Sequence, residues 1–189
     1  DIGMVVDTKL PTDLKIACGT ANMTKEPAMS REQAVQALEA GIEMVRRLKE
    51  EGYELLATGE MGIGNTTTSS AVAAVLLDRP IEEMTGRGAG LSGDGLTRKI
   101  NAIKKAIEVN SPDPEDAIDV LAKVGGFDIA GMAGMFLGGA ALGVPVVIDG
   151  FISCVAALIA QRICPTAGEY MIASHVSKEP AARLILEAL

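Results

Sequence analysis

Tyr53-Glu54-Leu55-Leu56-Ala57-Thr58-Gly59-Glu60-Met61-Gly62-Ile63-Gly64-Asn65-Thr66-Thr67-Thr68-Ser69-Ser70 passes from an apolar run, through a glycine-rich bend with one carboxylate, into a row of small hydroxyl residues. Tyr53 to Ala57 reads as a strand, and the hydroxyl row opens a helix running through Ala71, Val72 and Val75 to Leu77. Strand, bend and helix in that order are the unit of parallel α/β sheets. Glycines let backbone N–H groups approach a ligand closely, and a helix N-terminus favours negative charge. The stretch therefore predicts a phosphate cradle with Glu60 beside it.

Two glycine motifs compete for this reading. Gly59-x-x-x-x-Gly64-Asn65-Thr66 has the spacing of a triphosphate-binding loop, but Asn65 stands where that motif needs a lysine, which argues against a triphosphatase. Gly88-x-Gly90-x-x-Gly93 matches a dinucleotide fingerprint only in letters. The segment before it holds a proline, two glutamates and a lone Ile81, so a turn that admits a ligand or starts a helix is expected instead.

Strand-like and helical patterns alternate on either side. Gly3 to Val6 reads as a strand ending at Asp7. Ser30 and Gln33 form a capping box ahead of a helix with Val35, Leu38, Ile42, Val45 and Leu48 on one face, closed by Gly52. Leu96, Ile100, Ile103 and Ile107 mark another helix, and Asp113-Pro114 a start for a short third one ended by Gly125-Gly126. Asp128 is expected to cap a helix in which Gly131, Gly134 and Gly138 alternate with Met132 and Met135. Val144 to Ile148 reads as a buried strand ending at Asp149-Gly150, a helix follows from Phe151, and Tyr170 to Ala173 is a last strand closed by Ser174-His175. The pattern predicts an α/β fold, a mainly parallel sheet flanked by helices in a Rossmann-like three-layer core, as a single domain over 1–189. In such sheets ligands bind beyond the carboxyl ends of the strands, the edge where Asp7, Glu60, Asp149 and His175 gather.

The bulk numbers narrow the partners. The chain has 189 residues, 48% hydrophobic and 22% charged, enough for a full core. A net charge of −8 argues against nucleic acid or an anionic membrane as partner. Three cysteines without CxxC spacing and one histidine, His175, argue against a zinc site and suit reduced thiols in the cytoplasm. The apolar run from Phe151 to Ile163 is too short to span a bilayer. With 21 glycines and 3% aromatic residues, close packing of small-residue helices is expected. The chain opens on Asp1, which reads as a piece of a longer protein.

Taken singly, the candidate residues each keep a plainer reading. Burial of Glu60 would raise its carboxyl toward the general-base range, or the side chain could simply hold the turn through loop N–H groups. Asn65, Thr66 and Thr67 could donate to a phosphate or cap a helix. Lys99, on an amphipathic helix, reads as solvated. Asp149 has the better functional position at a strand end; His175 and Ser177 stay ambiguous, and Cys154 and Cys164 read as buried small hydrophobes.

Read together, the motifs carry a resemblance. Gly59 to Thr67, Pro27-Ala28-Met29-Ser30, the run from Asp113 through Ala117 and Asp119 to Asp128, Ile129 to Gly134, Asp149-Gly150-Phe151 and Ser174-His175-x-Ser177 together resemble the nicotinate-nucleotide–dimethylbenzimidazole phosphoribosyltransferase family over essentially the whole chain. The resemblance implies transfer of the 5-phosphoribosyl group of nicotinate mononucleotide to 5,6-dimethylbenzimidazole in cobalamin biosynthesis, with no metal or other cofactor, by a cytoplasmic homodimer. It implies that the 5′-phosphate sits on the Gly62, Gly64, Asn65 and Thr66 loop, with Gly88, Lys99 and Ser177 completing the cradle and Asp149 at the substrate edge. Glu60 matches a carboxylate that positions or deprotonates the base.

The family's principal catalytic glutamate lies in an Arg-Leu-Gly-Glu-Gly motif downstream of the segment matching Arg183 to Leu189. The expectation is thus a core lacking N- and C-terminal parts of the enzyme and poorly active by itself. A non-catalytic nucleotide- or phosphosugar-binding module, or a transferase using another aromatic base, are the alternatives.

Overall fold

A computed structural model describes residues 14–189. The strand expected at Gly3 to Val6 lies outside the described residues. Eight α-helices and three strands follow in the order α1 (Arg31–Glu50), β1 (Leu56–Ala57), α2 (Asn65–Leu76), α3 (Ile81–Met84), α4 (Gly93–Asn110), α5 (Ala117–Val124), α6 (Phe127–Leu142), β2 (Val146–Ile148), α7 (Phe151–Ile163), β3 (Met171–Ala173) and α8 (Pro180–Ala188), with a 3-10 turn over Pro165–Tyr170 between α7 and β3, among the described residues. The strands form one parallel sheet in the order β1-β2-β3, with Ala57 level with Val147 and Ile148 level with Ala173. This is the expected α/β architecture.

Local chemistry explains the boundaries. Ser30 and Gln33 form the capping box, Gln33 N–H donating to Ser30 Oγ at 3.1 Å and Ser30 N–H to Gln33 Oε1 at 3.0 Å. The strand expected over Tyr53 to Ala57 shrinks to its last two residues, because Tyr53 and Leu55 project into solvent and only Leu56 and its successors reach β2. The short helix before Gly125 is capped by Asp116, not Asp113. Asp116 Oδ1 accepts from Ile118 N–H at 3.0 Å and Asp119 N–H at 3.1 Å, while Asp113 spends its carboxylate on Glu115 N–H in the preceding turn. Asp128 is not the cap of α6 either: Gly126 holds that position.

The core is built on small residues. α1 lies along α6 with Gly41 facing Gly131 and Gly134, and Gly134 facing the Leu38 carbonyl. A methyl at Gly134 would land inside the Leu38 carbonyl oxygen, and one at Gly138 would stand 2.9 Å from Ile42 Cα. Backbone cannot move aside as a side chain can, so Gly134→Ala should destabilise by about 1–3 kcal/mol and lower the melting temperature by roughly 2–12 °C. Calorimetric melting beside Gly131→Ala, whose methyl meets open space at an ordinary helical φ in the same helix, checks this. α7 is buried along almost its whole length, and Cys154 within it is a small hydrophobe as expected, its thiol pushed up to about 11 by burial. Cys164 is only half-buried, because it ends α7 and turns toward Thr166. Among the described residues no helix is long and apolar enough to cross a membrane.

Candidate functional site

The sheet delivers its carboxyl ends to one edge. Gly59 follows β1, Asp149 follows β2 and Ser174 follows β3, and the register sets them side by side. Ser174 Oγ donates to the Ile148 carbonyl at 2.7 Å and lies 2.9 Å from His175 Nδ1. His175 is exposed, as is Asp149, whose carboxylate has no hydrogen-bond or ion-pair partner among the described residues. Below them, Thr58 Oγ1 donates to the Val147 carbonyl at 3.1 Å and contacts Ser153 Oγ at 3.0 Å, fastening the root of the bend.

The bend stands open. Met61, Gly62, Ile63 and Gly64 are exposed, Gly64 adopts φ 80°, and α2 begins without any side-chain cap. A left-handed Gly64 lets the chain turn from strand into helix at no steric cost. The first amides of α2, at Asn65 and Thr66, have no preceding turn to bond. The hydroxyl row is less available: Thr68 Oγ1 and Ser70 Oγ donate back to the Asn65 and Thr66 carbonyls at 3.1 and 2.9 Å, and Ser69 Oγ is buried without a partner.

Asn65 and Thr66, one residue apart on the helix, point into different clusters. On one side, Glu60 folds back over the bend. Its Oε2 accepts from Gly62 N–H at 2.6 Å and from Asn65 Nδ2, and Asn65 Nδ2 also donates to Asp128 Oδ2 at 2.7 Å. Both Asn65 amide hydrogens are therefore spent on carboxylates, so the side chain neither caps α2 nor donates to a phosphate; only its backbone N–H is left for that. Glu60 is half-buried rather than enclosed, because Met61 to Gly64 leave it open to solvent. It holds the turn through one oxygen and keeps the other free. A cavity of about 400 Å³ adjoins this cluster, walled by Met61, Ile63, Phe127, Asp128 and Cys18. A larger one of about 570 Å³, near Arg31, Asp119 and Lys123, touches none of the expected site residues.

On the other side Thr66 meets Lys99. The buried face of α4 is Gly95, Lys99, Ile103, Ala106 and Asn110, and Lys99 lies on it at 6% exposure. Its Nζ donates to Thr66 Oγ1 at 3.1 Å and to the Gly86 carbonyl at 3.0 Å. The solvated lysine expected from helix pattern alone is thus a buried ammonium at the end of the glycine bend. Burial pushes it below its ordinary value, and the Glu179 carboxylate opposes that shift.

Gly88 approaches Thr66 so closely that a methyl there would stand 2.8 Å from Thr66 Oγ1, and its φ of 54° favours glycine. Its N–H, expected in the cradle, donates to Glu179 Oε1 at 3.0 Å. Ser177 Oγ is half-buried and accepts from Glu179 N–H at 3.3 Å. No strand precedes the Gly88 motif; it forms turns that lead into α4, as expected.

The structure thus gathers Thr66, Gly88, Lys99 and Ser177 in one cluster and Glu60, Gly62 and Asn65 in a second, with Gly64 between them and Asp149 on the open edge. Two members were not singled out from sequence. Asp128, read as a cap, braces Asn65, and Glu179 links Gly88 to Ser177. Glu179 announces itself only as the residue before Pro180, a helix-start signal. Among the described residues no three acidic, histidine or cysteine side chains converge on a point that could hold a metal ion.

A parallel sheet with a glycine bend, a buried ammonium and carboxylates at its carboxyl edge defines an α/β protein. Residues 1–189 match the model of a family described as phosphoribosyltransferase, and the chain belongs to that family. A relative from Ruminiclostridium cellulolyticum, named nicotinate-nucleotide–dimethylbenzimidazole phosphoribosyltransferase, is 56% identical across 100% of this chain and 54% of its own. Its namesake from Acetivibrio thermocellus is 55% identical across 93% of this chain and 50% of its own. CobT from Thermus thermophilus superposes with a TM-score of 0.91 at 41% identity, covering 98% of this chain and 56% of that one. The chain spans about half the length of the curated relatives it matches.

Proposed function

We propose that the protein carrying this chain transfers the 5-phosphoribosyl group of nicotinate mononucleotide to 5,6-dimethylbenzimidazole, giving α-ribazole 5′-phosphate and nicotinate. The observation that carries the reading is Lys99, a buried ammonium held against Thr66 at the mouth of the glycine bend. One ammonium beside helix-terminal amides suits a single phosphate monoester. The names of relatives aligned over 93–100% of the chain support the same donor and acceptor.

In this reaction one benzimidazole nitrogen attacks C1′ from the face opposite nicotinate. The C1′–N bond to the pyridinium breaks with its electron pair going to the departing ring, so nicotinate leaves as a neutral pyridine and needs no acid. The configuration inverts from β to α. The proton on the other benzimidazole nitrogen passes to a carboxylate; Glu60, with one free oxygen, and Asp149, unpartnered at the same edge, are the groups of this chain suited to receive or orient it. Thr66, Lys99 and the amides of Asn65 and Thr66 hold the phosphate, with Gly88 and Ser177 shaping the cradle around them.

The unpaired Cys18, Cys154 and Cys164 support a cytoplasmic setting, and a homodimer belongs to the same proposal. The full-length protein, incubated with nicotinate mononucleotide and 5,6-dimethylbenzimidazole, should yield α-ribazole 5′-phosphate by mass spectrometry. Product with a competing base in preference to the benzimidazole would redirect the acceptor assignment. Binding without any product would leave a nucleotide-binding module.

A further inference from the structure

Glu179 ties together three residues of the cradle that lie far apart in the chain. Its Oε1 accepts from Gly88 N–H at 3.0 Å, its own N–H donates to Ser177 Oγ at 3.3 Å, and its charge acts on Lys99. Its second oxygen, Oε2, is sealed from solvent with no hydrogen-bond partner. That oxygen fills the space a side chain on Gly86 would take, while the Gly86 carbonyl accepts from Lys99. Glu179 also stands at the N-cap of α8, yet its side chain makes no capping bond there. The carboxylate is turned away from the helix it begins and toward the Gly86–Gly88 loop. A carboxylate oxygen sealed from solvent without a partner is costly, and a residue that merely starts a helix would not need one.

We propose that Glu179 is a positioning residue of the phosphate site, its carboxylate fixing the Gly88 loop and the Lys99 ammonium against Thr66 so that a phosphate monoester meets a preformed, charged cradle. The inference rests on the phosphoribosyl reading only in needing a phosphate at this place. Glu179 is also the one titratable group acting on Lys99 among the described residues. Thr66 on α2 and the Gly86 carbonyl carry no titrating charge. Glu82 on α3 is paired with Lys104, and Asp119 and Lys123 on α5 with each other. Removing the Glu179 charge leaves burial unopposed, so Lys99 gives up its proton at lower pH. An opposite charge nearby favours the protonated ammonium, so its loss shifts the Lys99 titration downward.

The test is titration of the full-length protein with ribose 5-phosphate, which has the phosphate but no base, between pH 7 and pH 10. Glu179→Gln keeps an acceptor for Gly88 N–H and removes the charge. It should melt near the wild type, bind ribose 5-phosphate about tenfold more weakly at pH 8.5, and lose affinity on the alkaline side at a lower pH than the wild type. In a Lys99→Arg background, whose guanidinium keeps its proton throughout, the same substitution should leave the pH profile flat. Wild-type affinity with an unmoved alkaline limb in Glu179→Gln overturns the proposal. So does an equal loss at every pH with a lowered melting temperature, the mark of a purely structural role. If ribose 5-phosphate binds with the expected profile but nicotinate mononucleotide yields no product, the Glu179 assignment stands and the reaction assignment falls. Failure of the wild type to bind ribose 5-phosphate at all removes both.

Discussion

Lys99→Ala should weaken nicotinate mononucleotide binding by about 1.5–3 kcal/mol, roughly 10- to 150-fold, in calorimetric titration of the full-length protein. The magnitude follows from what Lys99 is asked to do. A charge-assisted hydrogen bond to a phosphate is worth more than a neutral one, and at 6% exposure this ammonium is little screened by solvent. Part of any loss in the alanine variant is mechanical, because the lysine stem packs along α4 with Ile103 and Ala106, and its removal leaves the Gly86 carbonyl and Glu179 without their cation. Lys99→Met separates the two. Methionine refills the stem volume, so a variant that melts like the wild type but still binds at least tenfold more weakly assigns the loss to charge. The pH dependence has a definite sign. Burial lowers the Lys99 proton affinity, so the charged form required by phosphate is lost at lower pH than for an exposed lysine, and affinity should decline on the alkaline side. Unchanged affinity in both variants would take Lys99 out of the site and remove the main support for a monoester cradle.

That lysine also shows how far a sequence can be read. Its phase on α4 is misread by the apolar pattern: Leu96, Ile100, Ile103 and Ile107 point to one face, whereas the buried face is turned toward Gly95, Lys99, Ile103, Ala106 and Asn110. Its partners were not legible either, since Thr66 and Glu179 are brought to it by the packing of α2 and the approach to α8. Features whose physics is local were legible, among them the Ser30–Gln33 box, the Val146–Ile148 strand and the glycine-to-hydroxyl entry into α2. Where two local solutions compete, local rules could not choose. Asp113 and Asp116 both suit a cap, and only the folded chain shows Asp113 committed to the Glu115 turn. Asp128 looked like a cap because it begins a helix, but it divides its carboxylate: Oδ1 accepts from the first-turn Ile129 N–H at 2.9 Å, while Oδ2 accepts from Asn65, sixty-three residues earlier. Tyr53 and Leu55 have strand chemistry without a strand partner among the described residues.

Glu60→Gln should lower kcat by about 100-fold while leaving the affinity for nicotinate mononucleotide near the wild-type value. General-base contributions run from about 10² to 10⁴ in rate. The lower end is expected because Glu60 is half-buried and open to solvent, and Asp149 at the neighbouring strand end can share the proton. Glutamine is the informative substitution here. Its carbonyl can still accept from Gly62 N–H and Asn65 Nδ2, so the bend keeps its shape and Asp128 keeps its hold on Asn65. What disappears is the negative charge and the capacity of the free oxygen to take a proton. Glu60→Ala removes the tether as well, frees the Gly62 and Asn65 donors, and should raise KM in addition to lowering kcat. The contrast between the two variants separates the roles that the geometry leaves combined in one side chain. If Glu60→Gln turns over at the wild-type rate and only Glu60→Ala is impaired, through KM, then Glu60 is a brace for the phosphate loop and the proton of the benzimidazole goes elsewhere. Asp149, unpartnered at the neighbouring strand end, is then the next carboxylate to replace.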